Sequence, residues 1–241
     1  MIKRRQRTRS MPFTALLVAA LTAQAPLGAN AADGADILKT QCSSCHNLTG
    51  PAPTTLKDLW ARKAPDLFYA GNKYRQEWLE TWLQKPTRLR PGGMFYADVL
   101  TSGDKAETID TTKLSTHVAL HAEQAAAVSQ ALMQLKSHDD LIAKEKLEPG
   151  TIAISMGEMV FDKFNGCLAC HQIEPEYGGL SGVELYTAGK RLQPEYTASF
   201  IRNPQAWDPK TWMPNKHVSD VNIVKLVRYL DALAKENTNA N

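Results

Sequence analysis

Cysteine is scarce in this chain, with four in 241 residues, too few to staple a protein of this length as a disulfide scaffold. Strand-like alternation is nearly absent, which argues against a sandwich, a barrel or a thioredoxin-like α/β setting. Long apolar runs are missing too. The main one, Met11 to Leu21, is too short to span a bilayer and soon meets Thr22, Gln24 and Pro26. Acids are absent before Asp33, whereas Lys3, Arg4, Arg5, Arg7 and Arg9 put five positive charges in the first nine residues. A charged start, a short apolar run and the small-x-small Ala29-Asn30-Ala31 read as a cleavable export signal over residues 1–31; an uncleaved anchor is the competing reading. Arg4-Arg5 falls short of a twin-arginine signal. Cleavage changes the formal charge from +3 to −2, with 23 Lys and Arg against 25 Asp and Glu, which removes the electrostatic support for non-specific nucleic-acid binding.

The four cysteines are grouped as Cys42-Ser43-Ser44-Cys45-His46 and Cys167-Leu168-Ala169-Cys170-His171, two copies of C-x-x-C-H. That pattern is the attachment site of c-type haem. Two thiols one helical turn apart can each join a vinyl group of one porphyrin, and the adjacent His reaches the iron as proximal ligand. Rival readings fit less well. Structural zinc prefers two C-x-x-C knuckles some 15 to 20 residues apart, whereas 121 residues separate Cys45 from Cys167. Two disulfides in an exported chain would not require His46 and His171.

The two motifs belong to a longer repeat. Gly71 and Gly189, Glu77 and Glu195, Trp82 and Phe200, Leu83 and Ile201, and Pro86 and Pro204 all match at an offset of 118, which argues duplication. A helix-like stretch precedes each C-x-x-C-H, and an apolar-periodic helix closes each half, near 122–136 and 220–235. The charged stretch from His138 to Gly150, ending in Pro-Gly, reads as a linker. The expected architecture is all-α, with a first domain at 32–137, a linker at 138–151 and a second domain at 152–241. Each half is small for an unaided hydrophobic core, and one covalently bound haem would supply the missing apolar centre.

These motifs and the repeat resemble the class I cytochromes c in tandem, as in the dihaem periplasmic cytochromes of the c4 type. The resemblance covers nearly the whole chain after the export signal. It implies two haem c groups, each wrapped in one domain, and a distal methionine opposite each His, usually followed by Pro. Trp212-Met213-Pro214 matches that pattern, which makes Met213 the distal ligand of the second iron. In the first half Met94 holds the corresponding position without the following Pro, and an offset that falls from 119 at the methionines to 98 at Leu132 and Leu230 marks an insertion of about 20 residues. His117 and His121, beyond that insertion, are the alternatives to Met94, and an open iron is the third. The resemblance further implies that Gly50-Pro51 and Pro175 offer carbonyls to the proximal histidines.

The implied function is a periplasmic carrier that moves single electrons between redox partner proteins, with no catalytic residues of its own. Thioether ligation raises a haem potential, a second His lowers it, and an open site would admit a small ligand. The alternative is an oxidoreductase, or the haem subunit of one, acting on a small inorganic sulfur or nitrogen compound at the atypical first site. A ligand-sensing module is a weaker third reading, since no signalling domain follows the second half. Between Lys57 and Arg90 eight basic residues face four acidic ones, an excess that suits an acidic partner, haem propionates or a solvated surface. Trp78 and Trp82, spaced i, i+4, are placed to face one haem edge or the core.

Overall fold

A computed structural model describes residues 31–102 and 107–236, so the expected export signal lies, Ala31 apart, outside the described residues. The first half runs α1 (Ala31–Ile37), α2 (Leu56–Trp60), α3 (Ala70–Lys73), α4 (Gln76–Gln84), α5 (Tyr96–Val99), the hairpin β1 (Leu100–Ser102) and β2 (Glu107–Ile109), then α6 (Ala122–Leu132). After α7 (Asp139–Ile142) the second half follows with α8 (Ile154–Glu158), the hairpin β3 (Gln172–Glu174) and β4 (Tyr177–Gly178), α9 (Ala188–Arg191), α10 (Pro194–Arg202), α11 (Pro204–Trp207) and α12 (Asp220–Glu236). The protein is mostly α. The two sheets among the described residues are antiparallel pairs, one of them inside the first-half insertion, where Thr101 and Thr108 join their hydroxyls across the strands at 2.8 Å. No helix among the described residues is long and apolar enough to cross a membrane.

Both halves are assembled in the same way. The helix before each C-x-x-C-H widens into a π-helical turn, Leu38–Cys42 after α1 and Met159–Phe164 after α8, a feature that recurs at functional sites. Each of these helices crosses the closing helix of its half at a glycine. A Cβ on Gly34 would fall 2.0 Å from the Ala127 carbonyl oxygen of α6, and one on Gly157 would fall 2.3 Å from the Tyr229 ring of α12. One turn on, Leu38 and Phe161 are buried in the core. A nine-residue helix in each half, α4 or α10, packs on the same closing helix through one apolar face, with Leu79 and Leu83 buried in the first case and Tyr196 and Ala198 in the second.

The halves meet across a local two-fold. Tyr74 and Leu192 form an antiparallel bridge, the Arg75 N–H donates to the Arg191 carbonyl at 3.0 Å, and the Gln193 N–H donates to the Lys73 carbonyl at 2.9 Å. Adding 118 converts Lys73, Tyr74 and Arg75 into Arg191, Leu192 and Gln193, so each hydrogen bond is the repeat image of the other. Behind this seam the rings of Tyr69, Tyr196 and Trp207 pack together at centroid separations of 4.7 to 6.5 Å. Arg62 ties the halves further, pairing with Asp66 at 2.8 Å and with Asp208 at 2.7 Å, all three side chains largely buried.

The charged segment between the halves is docked along its length. Asn72 accepts from the His138 N–H and donates to Asp139, Leu141 O accepts from Ser199, and Glu145 pairs with Arg202. His138 itself is half-buried among the rings of Phe68, Tyr69 and Trp207.

Candidate functional site

Each C-x-x-C-H forms a single helical turn. The amides of Cys45 and His46 both donate to the Cys42 carbonyl, at 3.1 and 2.9 Å, and those of Cys170 and His171 to the Cys167 carbonyl, at 3.2 and 3.1 Å. That turn sets the first thiol and the histidine of each motif on one side of the backbone. All four thiols are free, Cys42 and Cys167 half-buried and Cys45 and Cys170 exposed, in two pairs that belong to separate halves. Burial pushes the Cys42 thiol up and the Cys167 thiol up to about 11. A thiol-exchange motif depends on a lowered thiol pKa, so this environment argues against redox chemistry at sulfur. Among the described residues no three His, Cys, Asp or Glu side chains converge as a metal site, so the four ligands of a structural zinc are not assembled.

The histidines are held alike. The Nδ1 of His46 lies 2.8 Å from the Pro65 carbonyl oxygen and that of His171 lies 2.7 Å from the Val183 carbonyl oxygen. With Nδ1–H donated to a carbonyl, the neutral tautomer keeps Nε2 as its free lone pair, the arrangement expected of a metal-ligating imidazole. Burial pushes both rings toward the neutral form. At His46 the neighbouring His117 and Lys73 add to that effect, and at His171 Arg90 and Arg191 do, against the opposing pull of the accepting carbonyls. Gly182 allows the second histidine its place, since a Cβ there would meet His171 Nδ1 at 2.6 Å.

These acceptors correct the expectation for Gly50-Pro51 and Pro175. The Pro51 carbonyl accepts from the Asn47 side chain at 2.9 Å, and the imidazoles donate elsewhere. Pro65 and Val183 differ by 118, the offset of the repeat itself. That offset was the signal that would have found them, whereas proline as a residue type is not required, because the acceptor is a main-chain oxygen.

The distal candidates lie in different settings. Met213 is half-buried in the segment between α11 and α12, and its carbonyl accepts from Gln205 Nε2 at 2.9 Å. Met94 is also half-buried, and its neighbours turn toward the second half: the Gly92 N–H donates to the Leu180 carbonyl at 3.1 Å, and the Phe95 ring lies 4.8 Å from Trp60, which in turn meets Trp212 at 5.6 Å. His121 begins α6, where its N–H donates to Gln124 Oε1. His117 is placed otherwise, with its ring centroid 6.1 Å from that of His46 and 4.8 Å from the nearer ring of Trp82. Its Nδ1 lies 2.8 Å from the Val118 carbonyl oxygen. A row of rings thus runs from His117 through Trp82 and Trp78 to Tyr74 at the seam between the halves.

Several of the basic side chains between Lys57 and Arg90 are engaged rather than solvated. Arg62 is in its buried ion pairs, Lys73 lies over the Tyr74 and Tyr196 rings at 4.9 and 5.6 Å, and Arg75 and Arg88 donate to the carbonyls of Leu192 and Ser115. His217 is exposed, in a turn closed by its own N–H on Asn215 Oδ1. No family model, curated protein or solved structure matches the chain.

Proposed function

We propose that the protein is an exported, periplasmic dihaem c-type cytochrome that exchanges single electrons with redox partner proteins. The observation that carries this reading is the paired construction of the two C-x-x-C-H turns, with both imidazoles donating Nδ1–H to carbonyls one repeat apart. Bound at these turns, haem c supplies a one-electron iron couple. Cys42 and Cys45 would hold the first group and Cys167 and Cys170 the second, through thioether bonds, and His46 and His171 would offer Nε2 to the iron. The carbonyls of Pro65 and Val183 fix each ring and raise its basicity toward the metal. Met213 would supply the second protein ligand in the second half. The first half would draw its second ligand from the long stretch between α4 and α6, which carries Met94, His117 and His121. The cations beside the motif histidines, Lys73 in the first half and Arg90 in the second, suit the carboxylates of the porphyrin, whereas Arg191 is paired with the buried Glu184.

The reading is tested by mass spectrometry and absorption of protein made in a host with cytochrome c maturation. The expected product carries two covalent haems per chain, and Cys42→Ser/Cys45→Ser removes one of them, halving the haem absorbance. A colourless chain of bare polypeptide mass would end the proposal.

A further inference from the structure

The repeat breaks at one place. Between Met94 and α6 the first half is about 20 residues longer than the second, and this stretch carries the β1–β2 hairpin and, after it, the run from Leu114 to His121. This run is fixed on both sides of His117. Ser115 O accepts from Arg88 at 3.3 Å, and the Leu120 N–H donates to the Leu83 carbonyl at 2.9 Å, with the Leu120 side chain buried. Held in this way, the run brings the His117 ring against Trp82, 6.1 Å from the ring of His46.

That separation has a chemical meaning. With metal–nitrogen bonds of about 2 Å, two imidazoles bound through Nε2 on opposite faces of one iron place their ring centres roughly 6 Å apart. Both ring planes then contain the bond axis and are free to twist about it, so the observed interplanar angle of 58° is compatible. Each ring has its Nδ1 against a carbonyl oxygen, Pro65 for His46 and Val118 for His117, which leaves Nε2 as the coordinating nitrogen in both. His121 is used in starting α6, and the residues flanking Met94 are committed to Leu180 and Trp60.

We propose that His117, rather than Met94, is the sixth ligand of the first haem, so that one chain carries a His/His centre and a His/Met centre. This rests on the haem reading above. The ligand difference also separates the two centres in potential, the first below the second, because a second imidazole lowers the potential that a thioether raises.

The experiment uses the full, haem-loaded protein. Ferric iron with a thioether ligand shows a weak far-red absorption band, and the oxidised wild type is expected to show it at the intensity of one haem while carrying two. Met213→Ala abolishes the band and Met94→Ala leaves it unchanged. In His117→Ala the first iron turns high-spin, the reduced protein binds one carbon monoxide per chain, and added imidazole restores the low-spin spectrum; this rescue separates ligand loss from misfolding. A band at the intensity of two haems in the wild type, its halving in Met94→Ala, or a wild-type spectrum in His117→Ala overturns the proposal. Haem-free protein would instead bring down the reading beneath it.

Discussion

At the scale of single residues, an imidazole reports its surroundings through its proton. His138 sits among Phe68, Tyr69 and Trp207, and burial lowers its pKa, with Asp140 pulling the other way. In the unfolded chain the ring takes its proton near pH 6.5. As pH falls below that value the unfolded state binds a proton that the folded state still refuses, so stability declines until the folded pKa is passed. Among the described residues His46, His138 and His171 are the half-buried imidazoles, and on the reading proposed above iron would hold His46 and His171. His138→Phe keeps an aromatic ring in place and removes the proton site, so the loss of melting temperature between about pH 7.5 and pH 5.5 is expected to be smaller than in the wild type. Equal pH slopes in the two proteins would show that His138 is not the group responsible. Nothing in the local sequence marks this environment, because the rings around His138 come from residues 69 or 70 positions away on either side.

At the scale of elements, the helix before each C-x-x-C-H and the helix that closes each half were legible, since their apolar periodicity and the C-x-x-C-H spacing act within a few turns of chain. The β1–β2 hairpin was not, because its strands are only three residues long, and α7 was not, because its four residues are held by partners elsewhere, such as Asn72 on Asp139. The close helix crossing is equally a tertiary property, and it makes glycine the informative position. A Cβ on Gly34 would strike the main-chain carbonyl of Ala127, which cannot swing aside as a side-chain tip can. Overpacking of this kind typically costs about 1 to 3 kcal/mol, and Gly34→Ala should lie at the upper end. Gly157→Ala meets the buried Tyr229 ring and should cost a similar amount. Gly166 is the comparison, at φ +63° with nothing within 4 Å of where a Cβ would stand, so Gly166→Ala costs only the backbone strain of about 1 kcal/mol. Denaturant unfolding of the three variants gives the order directly, and a Gly34→Ala no worse than Gly166→Ala would mean that α1 and α6 do not approach as described.

At the scale of the whole molecule, the question is whether the two halves behave as one body. The seam of main-chain hydrogen bonds around Tyr74 and Leu192 follows from the repeat, because residues matched at an offset of 118 can pair about a two-fold. Arg62 breaks that symmetry. Its guanidinium reaches Asp66 in its own half and Asp208 in the other, with 8% of the side chain exposed, and nothing in the spacing of these residues announced the pairing. Removing one partner of a buried ion pair leaves charge without compensation, at a cost of about 3 kcal/mol or more. The cost in Arg62→Ala depends on pH in a definite sense. Burial already holds the Asp66 carboxyl above its ordinary value and Arg62 opposes that rise, so the carboxyl climbs further once the arginine is gone. An acid with a raised folded pKa binds its proton more tightly folded than unfolded, so the variant recovers stability as pH falls through that raised value. Calorimetry of the haem-loaded wild type should give a single transition. In Arg62→Ala the halves should separate into two transitions near pH 7 and draw together again near pH 5; one unchanged transition at both pH values would place the coupling in the Tyr74–Leu192 seam and the Tyr69, Tyr196 and Trp207 rings alone.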